Sequence, residues 1–355
     1  MTLKDRIWQT LRTVPYPGYS RDVVSFGLVQ HVAACGEAAT VTLGIGHLAP
    51  ETREAIVQAV REAVLALPEV QTVEIKVARP SAARAQTAEA PAWRSEIARV
   101  LAVGSGKGGV GKSTVAVNLA VALARRGSKV GLLDADVYGP NAPRMLGVER
   151  LPAKKNGRLV PAEAYGVKLM SLGLLTPAET PVIWRGPMAD KLLRQFLGGV
   201  AWGPLDLLVV DLPPGTGDIA ISIAQHAHPD SALVVVTPQA VATDDARKAI
   251  AMFRRLRVPV LGIVENMSAF VCHVCQTPHR LFGEGGGAQL ASATGVPFLG
   301  EVPLEPAVRA GGDTGQPAVL QPSSLAGAAL DRIAARLGRT LMAETARRPA
   351  PTIHQ

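Results

Sequence analysis

Apolar positions in the first eighty residues switch between helical and strand spacing. Leu3, Ile7 and Leu11 fall one helical turn apart and predict a short amphipathic helix. Val23–Gln30 and Thr40–Ile45 read as strands joined by a turn at Cys35-Gly36-Glu37. Ile56, Val60, Val64 and Leu67 give a helical period across Glu51–Leu67, and Val73–Val77 alternates as a closing strand. Helix, two strands, helix and strand make a small α/β unit over residues 1–78. Residues 79–95 carry no apolar period and two prolines, which predicts a linker.

Beyond residue 96 the pattern changes to continuous apolar runs. Arg99–Val103, Val130–Leu133, Val167–Leu172, Leu207–Val210, Leu233–Val236, Val260–Val264 and Phe298–Val302 read as buried strands. Helical periods fill most gaps, as at Met188–Phe196, Ile219–Ala227 and Asp244–Leu256. Such alternation implies an α/β fold with a mostly parallel, doubly wound sheet covered on both faces, extending over 96–340 with a flexible tail at 341–355. Functional residues are then expected at the carboxyl ends of the strands.

One strand end carries the strongest chemical signal. Val100–Val103 runs into Gly104-Ser-Gly-Lys-Gly-Gly-Val-Gly-Lys-Ser-Thr114, and a helical pattern begins at Ser113. This is the strand, glycine loop and helix of a nucleoside-triphosphate site. Backbone N–H groups from Gly106 and Gly108 through Thr114, with Gly109, Val110 and Gly111 between, can turn inward around phosphate oxygens, and the helix N-terminus adds its dipole. Lys112 is placed to reach the β- and γ-phosphates of ATP, and the Ser113 hydroxyl to meet Mg²⁺. Lys107 is a second lysine on the loop's arch, not needed for the cradle.

Two further strands end in carboxylates. Val130–Leu133 leads to Asp134-Ala-Asp136, and Leu207–Val210 leads to Asp211-Leu-Pro-Pro-Gly-Thr-Gly-Asp218. Asp211 fits a carboxylate holding Mg²⁺ through its water shell. Asp136 is the candidate to orient or deprotonate the attacking water, with Asp134 bracing the metal side. Gly215 can offer its N–H to the γ-phosphate, and Asp218 is read as the cap of the helix that follows.

Composition adds limits. Of 355 residues, 48% are hydrophobic and 19% charged, enough to bury a sizeable core. No apolar run reaches spanning length and the first residues lack a signal-peptide core, so a cytoplasmic address without membrane attachment is expected. The net charge of +8 is scattered, its densest groups being pairs such as Arg125-Arg126 and Arg254-Arg255, so a nucleic-acid partner is not expected. Of three cysteines, Cys272 and Cys275 form a C-x-x-C pair. Two thiolates can chelate a soft ion or cluster from one side; a closed four-ligand site then needs a second chain. Alone, the pair is compatible with a labile cluster, a bridging zinc or a dithiol redox couple.

The loop Gly106-Lys-Gly-Gly-Val-Gly-Lys-Ser113 resembles the deviant P-loop ATPases, the MinD and ParA superfamily. The strings Asp134-Ala-Asp-Val-Tyr-Gly-Pro-Asn141, Trp184-Arg-Gly-Pro-Met188, Trp202-Gly-Pro-Leu-Asp206, Asp211–Asp218, Thr237-Pro-Gln239 and Glu265-Asn-Met-Ser268 resemble the Mrp/ApbC iron–sulfur carriers more narrowly. The resemblance implies that Lys107 crosses a face-to-face homodimer to the partner's nucleotide and that the Asn266 amide reads adenine. It also implies that Cys272 and Cys275 hold a [4Fe–4S] cluster between subunits, passed from a scaffold donor to apo-protein acceptors. Residues 1–78 resemble the iron–sulfur assembly domain found ahead of such ATPases, although His47 stands near the place of the expected cysteine. The rival readings are a MinD- or ParA-like positioning ATPase, a zinc-stabilised regulatory ATPase, and an electron-transfer reductase like the nitrogenase iron protein.

Overall fold

The computed structural model describes residues 2–17, 22–24, 28–45, 50–77, 92–151, 153–175, 186–272, 274, 275 and 277–346. The chain divides into two compact units between Glu89 and Ala90.

In the first unit, helices α1 (Leu3–Leu11) and α2 (Pro50–Leu65) accompany strands β1 (Val29–Cys35), β2 (Ala38–Leu43) and β3 (Thr72–Val77). The strands form one sheet in the order β1-β2-β3, antiparallel then parallel. A capping box opens α1, with Thr2 and Asp5 satisfying each other's backbone N–H groups. Ile7, Leu11, Val41, Leu43, Ile56, Val60 and Val64 form the core. The first strand lies later than the expected Val23–Gln30: Val23 sits in a turn, and pairing runs through His31, Ala33 and Ala34 up to the tight turn at Gly36. Its small and polar residues carry little periodic signal. His47 lies outside the described residues.

The second unit holds a nine-stranded sheet. Its strands are β4 (Val100–Ser105), β5 (Val130–Asp134), β6 (Ala162–Ala164), β7 (Val167–Ser171), β8 (Leu207–Asp211), β9 (Ser231–Val236), β10 (Val260–Val271), β11 (Pro278–His279) and β12 (Phe298–Leu304). The order is β11-β10-β9-β4-β8-β5-β7-β6, with β12 also on β10, and every pairing is parallel except those of β6 and β11. Helices α3 (Lys112–Arg125), α4 (Ala142–Met145), α5 (Gly186–Gly198), α6 (Asp218–His226), α7 (Ala240–Arg255), α8 (Gly286–Thr294), α9 (Pro306–Thr314) and α10 (Leu325–Ala346) connect and cover it. Alternate residues of β4 enter opposite cores: Val100 and Ala102 pack with Phe253 and Trp202, Leu101 and Val103 with α3 and α10.

Several boundaries differ from expectation. Trp93, assigned to the linker, lies in a 3-10 turn (Ala92–Glu96) packed in the second unit's core, and Arg94 beside it pairs with Asp230; residues 78–91 lie outside the described set. β10 continues seven residues past the expected end, because hairpin pairing with β11 extends it. Helix α6 begins at Asp218 itself, with Gly217 as its cap. α10 runs to Ala346, beyond the expected boundary at 340. Trp184 and Arg185 lie outside the described residues, whereas Trp202 is a core residue whose indole N–H donates to the Phe196 carbonyl at 3.0 Å. No described helix is long and apolar enough to cross a membrane.

Candidate functional site

The glycine loop joins β4 to α3 at the carboxyl edge of the sheet. α3 is apolar almost throughout and buried along most of its length, so packing fixes its axis. Gly111 precedes it at φ +80°, and a Cβ there would lie 2.1 Å from Asn266 Nδ2. At Gly106 a Cβ would meet the Asp245 backbone of α7 at 2.0 Å. Only glycine fits either position without movement.

A cavity of about 190 Å³ opens within the loop. It is lined by Lys107 to Thr114 together with Asp136, Asn141 and Pro214. Lys112 is buried, and its Nζ lies 2.5 Å from Asp211 Oδ1, 3.3 Å from Ser113 Oγ and 3.7 Å from Asp136 Oδ2. Asp211 Oδ2 is buried and accepts no hydrogen bond among the described residues. Asp136 Oδ1 accepts from the N–H groups of Tyr138 (3.2 Å) and Gly139 (3.3 Å), which leaves Oδ2 toward Lys112 and the cavity. Burial raises the Asp136 carboxyl above its usual range.

Three assignments change in detail. Asp134 does not line the cavity; it accepts from Ser171 Oγ at 2.9 Å and from the N–H groups of Ala142 and Asp136 at 3.2 Å each. Burial, reinforced by the neighbouring Asp211 charge, raises its carboxyl to about 7. Asp134 therefore braces the strap that carries Asp136. The Gly215 N–H donates to the Ser105 carbonyl at 3.0 Å, so a γ-phosphate contact requires that bond to be exchanged. Asn266 is interior to β10, not at its end, and its Nδ2 donates to the Val110 carbonyl of the loop at 2.9 Å. The same Asn266 lines an adjoining cavity of about 300 Å³, with Met145, Met267, Pro303, Leu304 and Val308, that shares Gly111, Thr114 and Asn141 with the first. Lys107 is half-buried on the first cavity's rim and makes no side-chain hydrogen bond or ion pair among the described residues.

The same strand ends at Val271, and Cys272 follows it directly, six residues past Asn266. The hairpin pairs Phe270 with His279 and Val271 with Pro278, and the Cys272 N–H donates to the Thr277 carbonyl at 3.1 Å. Cys272 is half-buried and Cys275 exposed, both as free thiols. The side chain and backbone N–H of Thr277, then Cys272 and His279, lower the Cys275 thiol to about 7, so much of it is thiolate at neutral pH. Among the described residues no three His, Cys, Asp or Glu side chains converge as a metal site. His273 and the side chain of Cys35 lie outside the described set.

Sequence reasoning left Ser171, Arg280 and Glu265 without roles. Arg280 of the hairpin pairs with Glu284 and Glu301, at 3.4 and 3.3 Å. No local pattern marks Ser171 or Glu265, whose partners Asp134 and Gly287 lie 37 and 22 residues away, and of the Arg280 pairs only that with Glu284 is local.

A profile of the NUBPL iron-transfer P-loop NTPase family matches residues 96–338. The chain belongs to that family. It is a P-loop ATPase of the α/β class expected. A second profile, an iron–sulfur cluster assembly protein, matches residues 4–77. An iron–sulfur cluster carrier protein of Synechocystis is 43% identical, with 97% of this chain and 99% of that protein covered. Among solved structures, a nucleotide-binding protein from Archaeoglobus fulgidus in complex with ADP is 41% identical, with 62% of this chain and 88% of that one covered, at TM-score 0.56. The cell-division ATPase MinD of Pyrococcus furiosus shares the fold at TM-score 0.53 and 24% identity, covering 68% of this chain and 99% of its own.

Proposed function

We propose that this family member is an ATP-hydrolysing carrier that holds an iron–sulfur cluster between two copies and delivers it to apo-proteins. The carrying observation is the incompleteness of one chain. It offers two close thiols where a cluster takes four ligands, and a cavity-rim lysine without a partner among the described residues. Two copies meeting at the carboxyl edge of the sheet would supply both deficits. Tyr138, Val274 and Leu281 on loops at that edge, and Val241 in the first turn of α7, are exposed apolar side chains, as a contact face requires. The Synechocystis relative's name points the same way, and a cytoplasmic site of action is part of the proposal.

ATP would place its phosphates in the loop and its base in the adjoining cavity, where Asn266 lies. The β- and γ-phosphates would draw the Lys112 ammonium from Asp211. The donor set fits Mg²⁺, because Asp211 Oδ2 is buried with no hydrogen bond among the described residues, and the Lys112 ammonium that phosphates would draw away touches both Asp211 Oδ1 and the Ser113 hydroxyl. Bound there, Mg²⁺ supplies charge neutralisation on the phosphate oxygens. Asp136 Oδ2 faces the cradle and would orient the attacking water, while Lys107 of the second copy would add positive charge across the interface. The cluster is cargo, a cubane [4Fe–4S] on four thiolates, received from a scaffold donor.

Anaerobic reconstitution tests the reading. About one cluster per two chains, with roughly four irons, is expected. Tight zinc with no iron uptake would replace it with the structural-metal alternative.

A further inference from the structure

Glu265 is buried and makes no ion pair among the described residues, Arg280 acting on it only at longer range. It lies on β10 one residue before Asn266, and adjacent strand residues point to opposite faces. Its Oε2 accepts the Gly287 N–H at 2.5 Å, while Oε1 is buried and accepts nothing among the described residues. Gly287 belongs to the first turn of α8, whose cap, Gly285, provides no side-chain bond. The carboxylate thus does from a neighbouring strand what an N-cap residue would do. The fit is tight: a Cβ at Gly287 would lie 2.9 Å from Glu265 Cβ, and one at Gly286 would lie 2.3 Å from the Pro238 carbonyl oxygen. The start of α8 is therefore wedged between Glu265 and the β9–α7 turn.

That wedge is the return point of the cysteine loop. The chain leaves β10 at Val271, passes Cys272 and Cys275, and comes back at Gly287. Glu265 holds the returning end, and on the opposite face Asn266 holds Val110 of the nucleotide loop. We infer that Glu265 is a positioning residue that transmits the state of the nucleotide loop, through its neighbour Asn266, to the exit end of the cysteine loop. This link rests on the ATP-gated carrier reading above. A shift of Asn266 with the loop moves the backbone at 265, and the buried carboxylate passes that movement to α8. Burial raises the Glu265 carboxyl above its usual range, which suits a group kept for its hydrogen bond more than for its charge.

The test uses the cluster-free full chain. Iodoacetamide alkylation of Cys272 and Cys275 is followed site by site, with and without Mg²⁺ and a non-hydrolysable ATP analogue. Wild-type rates should change on analogue binding by about fivefold or more, the lower end of usual site-to-site coupling. Glu265→Gln keeps an acceptor for Gly287 and should keep that response. Glu265→Ala should lose it while binding the analogue with wild-type affinity, a split that a merely structural role would not give. An Ala variant that responds as wild type does overturns the link alone. Wild-type thiols indifferent to nucleotide overturn both the link and ATP gating. Should the Ala variant fail to fold, exchange of the Gly287 amide in the wild type decides: a change in protection on analogue binding supports the link, and unchanged protection overturns it.

Discussion

Lys112 donates to Asp211 at 2.5 Å inside a site where both side chains are at least 95% buried. The β-ladder sets Asp134 directly opposite Asp211, and Asp136 follows two residues later, so one ammonium pairs with two carboxylates and acts at longer range on a third. Burial of that many acids is unfavourable, and the site answers it by raising Asp134 to about 7 and by pairing Lys112 with Asp211. Lys112 is thereby balanced between protein carboxylates and the phosphates that the loop is shaped to take.

Lys112→Ala should accordingly lose nucleotide without losing cargo. ATP affinity is expected to fall tenfold or more, ~1.4 kcal/mol at least, and hydrolysis to be abolished. Reconstituted iron and sulfide should remain at wild-type levels, since the thiols lie on a separate hairpin. Calorimetric titration with ATP and iron counting on the same preparation check it. Hydrolysis at the wild-type rate would end the assignment of the loop.

How far the sequence foretold this site depends on distance along the chain. Lys112, Ser113 and Asp211 were legible because a strand, a glycine loop and a helix follow one another locally, and an apolar run ends in a carboxylate. The parallel sheet was legible for the same reason, its strands being continuous apolar runs. The hydrogen bond that Asp134 accepts from Ser171, thirty-seven residues away, was not legible, because no local pattern discloses the position of Ser171. The expected strand stopped at Val264, short of Asn266, because the hairpin that lengthens β10 is closed by only two residues, Pro278 and His279. Trp93 read as linker since one aromatic between prolines and polar residues has no period.

Lys107 offers a different kind of test. Its side chain is on the rim of the phosphate cavity with no partner among the described residues, so its contribution should appear only when two copies meet. Lys107→Ala should reduce hydrolysis tenfold or more and weaken ATP-dependent self-association, with ATP affinity changed far less. Turnover measured against protein concentration, alongside sedimentation, checks this. A wild-type chain whose specific rate is independent of concentration would remove the cross-subunit role.

Glu265 gives the chain a specific dependence on pH. Its carboxyl is raised in the folded protein, so the folded state holds this proton more tightly than the unfolded chain does. Stability from this group is complete at acid pH and is lost as pH climbs through the unfolded glutamate value, about 4.3, toward the higher folded one. Glu265→Gln has no proton to lose. Denaturant unfolding should show the Gln variant gaining on wild type as pH rises above the unfolded glutamate value, about 4.3, and levelling off once the folded carboxyl is ionised. A difference that stays flat with pH would contradict the raised carboxyl.

The cysteines separate the remaining readings. Cys272 and Cys275 are the pair at the hairpin tip, and Cys35 belongs to the other compact unit. A cluster needing four thiolates must take two from each copy, so either Cys272→Ala or Cys275→Ala should abolish cluster binding while ATP still binds. Cys35→Ala should leave iron uptake intact. The lowered thiol of Cys275 adds a kinetic signature: it should alkylate faster than an ordinary exposed cysteine at pH 7, with a rate that rises through about 7. Iron content, sulfide content and visible absorption of each reconstituted variant decide the matter. A cluster that survives the Cys272→Ala/Cys275→Ala double variant would show that the cargo is held elsewhere.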